Sequence, residues 1–183
     1  MLFRSPEHSA FSVAEMLEHE RAQMLPAAQP FDGYVERMAR VSSTCLVSVA
    51  RNRYSVPCEW VGQMVSTRLY PGQVVIVADD GVMARHERLS NKGETCYDWQ
   101  HYIPLLQRKP GALRNGAPFA DMPEPLLQLQ RALMRRPGGD RVMAQVLAAV
   151  PTAGLEAELV AVSLVLETGE VSAELVQIGR AHV

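Results

Sequence analysis

The sequence predicts a mainly β first half, bent into a small SH3-like barrel, followed by a cluster of short helices, so that the whole is mixed α and β. Three observations predict it. Apolar residues alternate with period two from Val41 onward, turn signals separate the short runs that follow up to Arg88, and after Asp98 the period lengthens to that of helices interrupted by proline and glycine. Five short strands within about fifty residues curl more readily into a small antiparallel barrel than into an open sheet.

The elements come in order along the chain. Phe11 to Leu25 has helical spacing, with Val13, Met16, Leu17, Met24 and Leu25 apolar and acids between them. Ser12 is placed to cap this helix, with Glu15 completing a capping box. The stretch PAAQP, residues 26–30, reads as a linker. In the first strand Cys45, Val47 and Val49 share one face and are expected to point inward together. Arg53–Val56, Met64–Tyr70, Gln73–Ala78 and Val82–Arg88 are the next strands. Their turns are expected at Arg51-Asn52, Pro71-Gly72 and Asp79-Asp80-Gly81. Asp98 to Gln107 is a helix broken by KPGALRNGAPF. Pro125–Arg135, Arg141–Val150 and Leu155–Leu166 come next, the last two with stripes at Val142, Met143, Val146, Leu147 and Val150 and at Leu155, Leu159, Val162 and Leu166. Such short helices need packing partners. The expected organisation is an N-terminal helix and linker over 1–36, the barrel over 37–95 and the helical region over 96–176.

Composition narrows the function. The chain has 183 residues, 48% of them hydrophobic and 21% charged, which suits a folded domain of modest size. No apolar run reaches the roughly 20 residues of a bilayer span. Cys45, Cys58 and Cys96 are an odd count without metal-ligand spacing, and free thiols suggest a cytoplasmic protein. The net charge of -2 conceals a division. Residues 1–36 hold two Arg or Lys against six Asp or Glu, residues 37–115 eleven against six, and residues 116–183 five against eight. A basic middle between acidic ends suits an anionic partner; the alternative is a set of ordinary solvated faces.

The search for reaction chemistry is negative. GxSxG, HExxH and the phosphate-cradling glycine loop with its lysine are all missing from the sequence. His8, His19, His86, His101 and His182 are scattered, His86 reading as a rim residue and His101 as helix packing. Asp79 and Asp80 are turn residues, since two-metal phosphodiester chemistry needs carboxylates converging from separate elements. Polyanion binding fares better. Arg37 and Arg40 lead into the first strand, and Arg51 and Arg53 mark its return, with Tyr54 alternating away from them into the core. Arg108, Lys109 and Arg114 bracket a proline-glycine loop suited to following a phosphate backbone, while Arg135 and Arg136 serve a helix end.

Three stretches, VSSTCLVSVARNRYSVPCEWVG, YDWQHYIPLLQRKPGALRNGAPF and GGDRVMAQVLAAVP, resemble the C-terminal portion of bacterial IstA-type transposases, the large protein of two-gene insertion elements whose companion is an AAA+ ATPase. PFDGYVER, residues 30–37, resembles the segment preceding that family's barrel, and the likeness runs over roughly residues 15–176. The resemblance implies a DNA-binding helix-turn-helix, a ribonuclease-H-like core with a DDE carboxylate triad, a small barrel and a helical tail, of which this chain matches only the portion beyond the core. It therefore implies a non-catalytic portion that binds duplex DNA of the element ends and helps assemble the transposition complex. The alternative is a module that docks the helper ATPase or another transposase subunit. A divalent metal is expected only in the catalytic core. The resemblance points to the stretch around Arg51, Asn52, Arg53 and Tyr54 and to the loop from Arg108 to Gly116 as DNA or subunit contacts. The last seven residues, QIGRAHV, depart from the expected helix and read as a non-native tail on a fragment of a longer frame.

Overall fold

The structure, a computed structural model, describes residues 10–25 and 31–168. The linker at 26–30 and the tail from Gln177 lie outside them. The chain divides into two units, Met1–Gly33 and Tyr34–Val183. In the first, α1 (Val13–Glu20) runs into a 3-10 turn at Arg21–Gln23. The capping box forms as expected: Ser12 Oγ accepts from the Glu15 amide at 3.2 Å, and the Glu15 carboxylate accepts from the Ser12 amide at 2.7 Å. No residue of this helix is buried.

The second unit opens with β1 (Val35–Arg40), β2 (Leu46–Val49) and β3 (Asn52–Ser55). They are followed by β4 (Met64–Leu69), β5 (Gln73–Ala78), β6 (Gly81–Glu87) and β7 (Thr95–Cys96). These strands make two sheets, not the expected SH3-like barrel: one has the order β1-β4-β5-β6, the other β2-β3-β7. The physical reason lies at Val41 to Cys45. There the chain leaves the first sheet, and Cys45 takes φ 60° to turn it into the second. β2 and β3 are four residues each and pair only with each other and with the short parallel β7. A barrel needs its first and last strands to pair. Here β1 and β6 are the edges of one sheet and β2 and β7 the edges of the other, so neither closes.

The sheets share one apolar core. Val47 and Val49 point into it together, as alternation requires, beside Val41, Tyr54, Val56, Val65, Val74, Ile76 and Ala84. Cys45 does not join them: its positive φ sends the side chain into a separate helical core, where burial raises the thiol pKa to about 11. That second core is built from α2 (Ile103–Arg108), α3 (Glu124–Leu133), α4 (Gly139–Ala153) and α5 (Leu155–Thr168). The α4 stripe of Met143, Val146, Leu147 and Val150 is buried as expected, with Val142 half-buried. On α5 the buried stripe is rotated: Glu158, Ala161, Val162 and Val165 are inside, and Leu155, Leu159 and Leu166 only flank them. The proline- and glycine-broken segment after α2 forms 3-10 turns at Pro110–Asn115 and Ala117–Phe119, anchored by buried Leu113 and Phe119.

Candidate nucleic-acid interface

The β2–β3 hairpin carries the RNRYSVP stretch, residues 51–57. Its register pairs Val49 with Asn52, so the two turn residues are Ala50 and Arg51, at φ 49° and 69°, one position earlier than expected. This is the turn geometry that matches strand twist, and it normally selects Asn and Gly. Moving the turn makes Asn52 the first residue of β3 and turns it inward, 3% exposed. Its amide nitrogen donates to the carbonyls of Asn91 at 2.7 Å and Leu89 at 3.3 Å, and its Oδ1 accepts from the Glu94 amide at 3.1 Å. Asn52 is therefore occupied inside the fold and offers no donor to a ligand. What it does is hold the loop Leu89–Glu94 against the hairpin, where the Gly93 amide also donates to the Arg51 carbonyl at 3.0 Å. That loop brings exposed Lys92 to the hairpin tip. Lys92 is not legible as a site residue in the sequence, because only the fold of residues 89–94 places it there.

Arg51 and Arg53 are both exposed, and Tyr54 between Arg53 and Ser55 is 1% exposed, its hydroxyl accepting from the Leu89 amide at 3.1 Å. Period two thus separates the arginines from the core tyrosine as the sequence predicts. Arg53 lies opposite Ser48 and beside Thr95 on the outer face of the small sheet. Arg37 lies on the inward side of edge strand β1, in register with buried Thr67. It lines a groove of about 500 Å³ whose far wall is Ser48, Val49 and Ala50 of the hairpin. Arg40, three residues on, faces the opposite side, and its guanidinium donates to the Gly62 carbonyl at 2.7 Å. The structure therefore gathers Arg37 with the hairpin and separates Arg40 from it.

Arg108, at the end of α2, and Lys109 and Arg114, on the segment after it, are exposed. Arg108 lines a different groove, between α2 and α4, together with Arg141, which in the sequence marks only a helix start. Among the described residues, ion pairs engage Arg21, Arg68 and Arg131 but none of Arg37, Arg51, Arg53, Arg108 or Arg141.

One buried cluster imitates a catalytic triad. Ser55 Oγ accepts from the Asp98 amide at 2.7 Å and is hydrogen-bonded to His101 Nδ1 at 2.9 Å, while His101 Nε2 stands 3.6 Å from Asp98 Oδ2. His86, expected at the rim, is 7% exposed because Ala84 and His86 share the inward face of β6. Its Nε2 donates to the Ser55 carbonyl at 2.7 Å, leaving Nδ1 to accept from the Cys96 thiol at 3.5 Å. Ser55 is 0% exposed, so no substrate reaches its hydroxyl. Burial lowers the pKa of both histidines, against the opposing influence of Asp98 and of the hydrogen bond to Ser55. Asp79 and Asp80, at φ 47° and 60°, are turn residues as expected. Among the described residues, no three His, Cys, Asp or Glu side chains are grouped so as to hold a metal ion.

Fold and site together define a two-sheet and helix domain with cationic loops and a buried, closed polar cluster. Residues 25–98 match the family described as Mu transposase, C-terminal domain. A transposase of Aminobacter aminovorans is 44% identical over 163 residues, 86% of this chain and 32% of its own length. The transposase for insertion sequences IS1326/IS1353 of Pseudomonas aeruginosa is 44% identical over 168 residues, 89% of this chain and 33% of its own length. A more distant relative, the transposase for insertion sequence element IS232 of Bacillus thuringiensis subsp. berliner, is 26% identical over 93 residues, 50% of this chain and 21% of its own. The matched stretch thus resembles a Mu-type transposase C-terminal domain, and most of the chain is similar to bacterial insertion-sequence transposases. It spans about a third of the length of the curated relatives it matches. No solved structure matches it. Among the described residues no helix is long and apolar enough to cross a membrane.

Proposed function

We propose that this domain binds duplex DNA of the element ends through its phosphate backbone and so contributes to assembly of a transposition complex in the cytoplasm. The observation that carries the reading is the hairpin tip. Arg51 and Arg53 stand exposed and outside the ion pairs of the described residues, next to the loop that Asn52 pins in place with Lys92. Arg37 enters the adjoining groove. Arginine forks suit phosphate oxygens, and contacts of this kind position a duplex without reading its bases. Replacing Arg51 and Arg53 together with Ala is expected to weaken binding of element-end and unrelated duplexes alike. The slope of log affinity against log salt should fall by about two units, roughly 0.9 for each lost phosphate contact. Titrations at three salt concentrations, with melting curves to show an intact fold, test this; unchanged binding would remove the hairpin from the interface.

A second reading, docking of another transposase subunit or the helper ATPase, is favoured by one feature. Val160 and Leu164, one turn apart on α5, are 45% and 44% exposed. Replacing both with Ser should abolish subunit association while leaving DNA binding of this domain unchanged.

A further inference from the structure

A second cationic groove lies between α2 and α4, on elements other than those of the hairpin. It is open, about 520 Å³ in volume, and its polar walls come from Gln107 and Arg108 on one side and Arg141 and Gln145 on the other. Arg141, Ala144, Gln145 and Ala148 recur at helical spacing along one face of α4. The alanines are the floor, small enough for a polymer backbone to approach while the longer donors reach it from the sides. Among the described residues no carboxylate lines the groove, and neither arginine is in an ion pair. α2 packs directly on α4, both contributing to the helical core, so the two guanidinium groups rise from a fixed platform.

We propose that this groove is a second phosphate subsite, taking the sugar-phosphate backbone of DNA between Arg108 and Arg141; the proposal rests on the DNA-binding reading above. Its chemistry favours nucleic acid over a protein partner. A protein interface needs an apolar anchor at its centre, and among the described residues no large exposed apolar side chain lies anywhere from Ile103 to Val150. The donors present are planar guanidinium and amide groups, which carry no apolar knob. Two separated subsites on one small domain also give it two points of grip, which fix the direction of a duplex across it as a single point cannot.

The test compares the purified chain with Arg108→Gln/Arg141→Gln, with Arg51→Ala/Arg53→Ala, and with all four changes, using a random-sequence duplex over a range of salt. The Gln pair keeps most of the side-chain length and lies on the surface, so melting curves should be unchanged. The expected result is a fall of about two units in the salt slope for the Gln pair, repeated when the hairpin arginines are already gone. A Gln pair with unaltered affinity and slope, alongside a weakened hairpin variant, overturns the subsite and leaves the hairpin reading standing. The reverse pattern sinks the hairpin and keeps the subsite. No binding by the unaltered chain ends both. An unaltered slope together with lost subunit association assigns the groove to an acidic protein segment and likewise overturns the proposal.

Discussion

The hydroxyl of Ser55 on β3 lies 2.9 Å from Nδ1 of His101, so a residue of the small sheet is hydrogen-bonded to the helical segment Trp99–Tyr102. The same hydroxyl accepts from the Asp98 amide at 2.7 Å, so it ties the strand to this segment by two bonds. For His86 and for His101, burial is the largest influence and lowers the pKa below the ordinary histidine value, although Asp98 acts in the opposite sense on each. The unfolded chain then binds more protons than the folded one as pH drops below about 6.5. Stability is therefore full above that value and lost as pH falls toward the lowered folded values. Melting temperature is expected to decline between pH 7.5 and 5.5, by about 2–4 °C for each kcal/mol lost. His101→Gln should flatten the decline. A melting temperature that holds or rises on acidification would contradict the burial of these rings.

Asn52→Ala should cost about 2–3 kcal/mol, because it strands the Leu89 and Asn91 carbonyls and the Glu94 amide. Urea unfolding is the measurement, with a lower midpoint and an unchanged slope. DNA binding by the folded protein should also weaken, since the loop carrying Lys92 loses its anchor. Equal stability with weakened binding would instead make Asn52 a direct contact.

The hairpin turn is open to improvement. Ala50 sits at φ 49°, a left-handed conformation that costs an ordinary L-residue about 1–2 kcal/mol. Ala50→Asn, the residue favoured at that turn position, should raise stability by roughly 0.5–1 kcal/mol. Ala50→Val should lower it. If both variants melt alike, the turn does not have this backbone.

Gly139 is fixed by close approach. A Cβ there would lie 1.9 Å from the Leu133 carbonyl oxygen, against backbone that cannot swing away. Gly139→Ala should therefore destabilise by about 2–3 kcal/mol. Gly72→Ala, whose Cβ would meet nothing within 4 Å, is the control and should be nearly neutral. Similar melting curves for the two would show that α3 and α4 do not meet this closely.

What the sequence makes legible is local. Alternation places the strands from β2 to β6 within a few residues, helical spacing places the five helices of the described residues, and the Ser12–Glu15 pair announces its own cap. Relationships between distant segments are not local, and the pattern misleads there. β1 is an exposed edge strand that among the described residues pairs with β4 alone, and its charged Glu36, Arg37 and Arg40 let it pass for a lead-in. Its three-residue spacing puts Arg37 and Arg40 on opposite faces once it is recognised as a strand. β7 is two residues long, below any periodicity. Sheet closure depends on which edges meet, and the positive φ at Cys45 that decides it falls on a residue type with no turn preference. The burial of His86 is within reach of the sequence: Ala84 is its partner at period two. The places of Lys92 and Arg141 are not, because one is set by the side chain of Asn52 and the other by the packing of α2 on α4.

The stretch from Val41 to Cys45 places its first residue in the core between the sheets and its last in the core of the helices. Tyr102, from the helical segment, reaches back to donate to the Thr44 carbonyl at 3.0 Å. A mobile element that exchanged its helices for those of another by recombination would need matching residues at these points, or both hydrophobic interiors would open. Sheets and helices are in this sense a single heritable cassette, and drift in one half is constrained by the other through a few buried atoms.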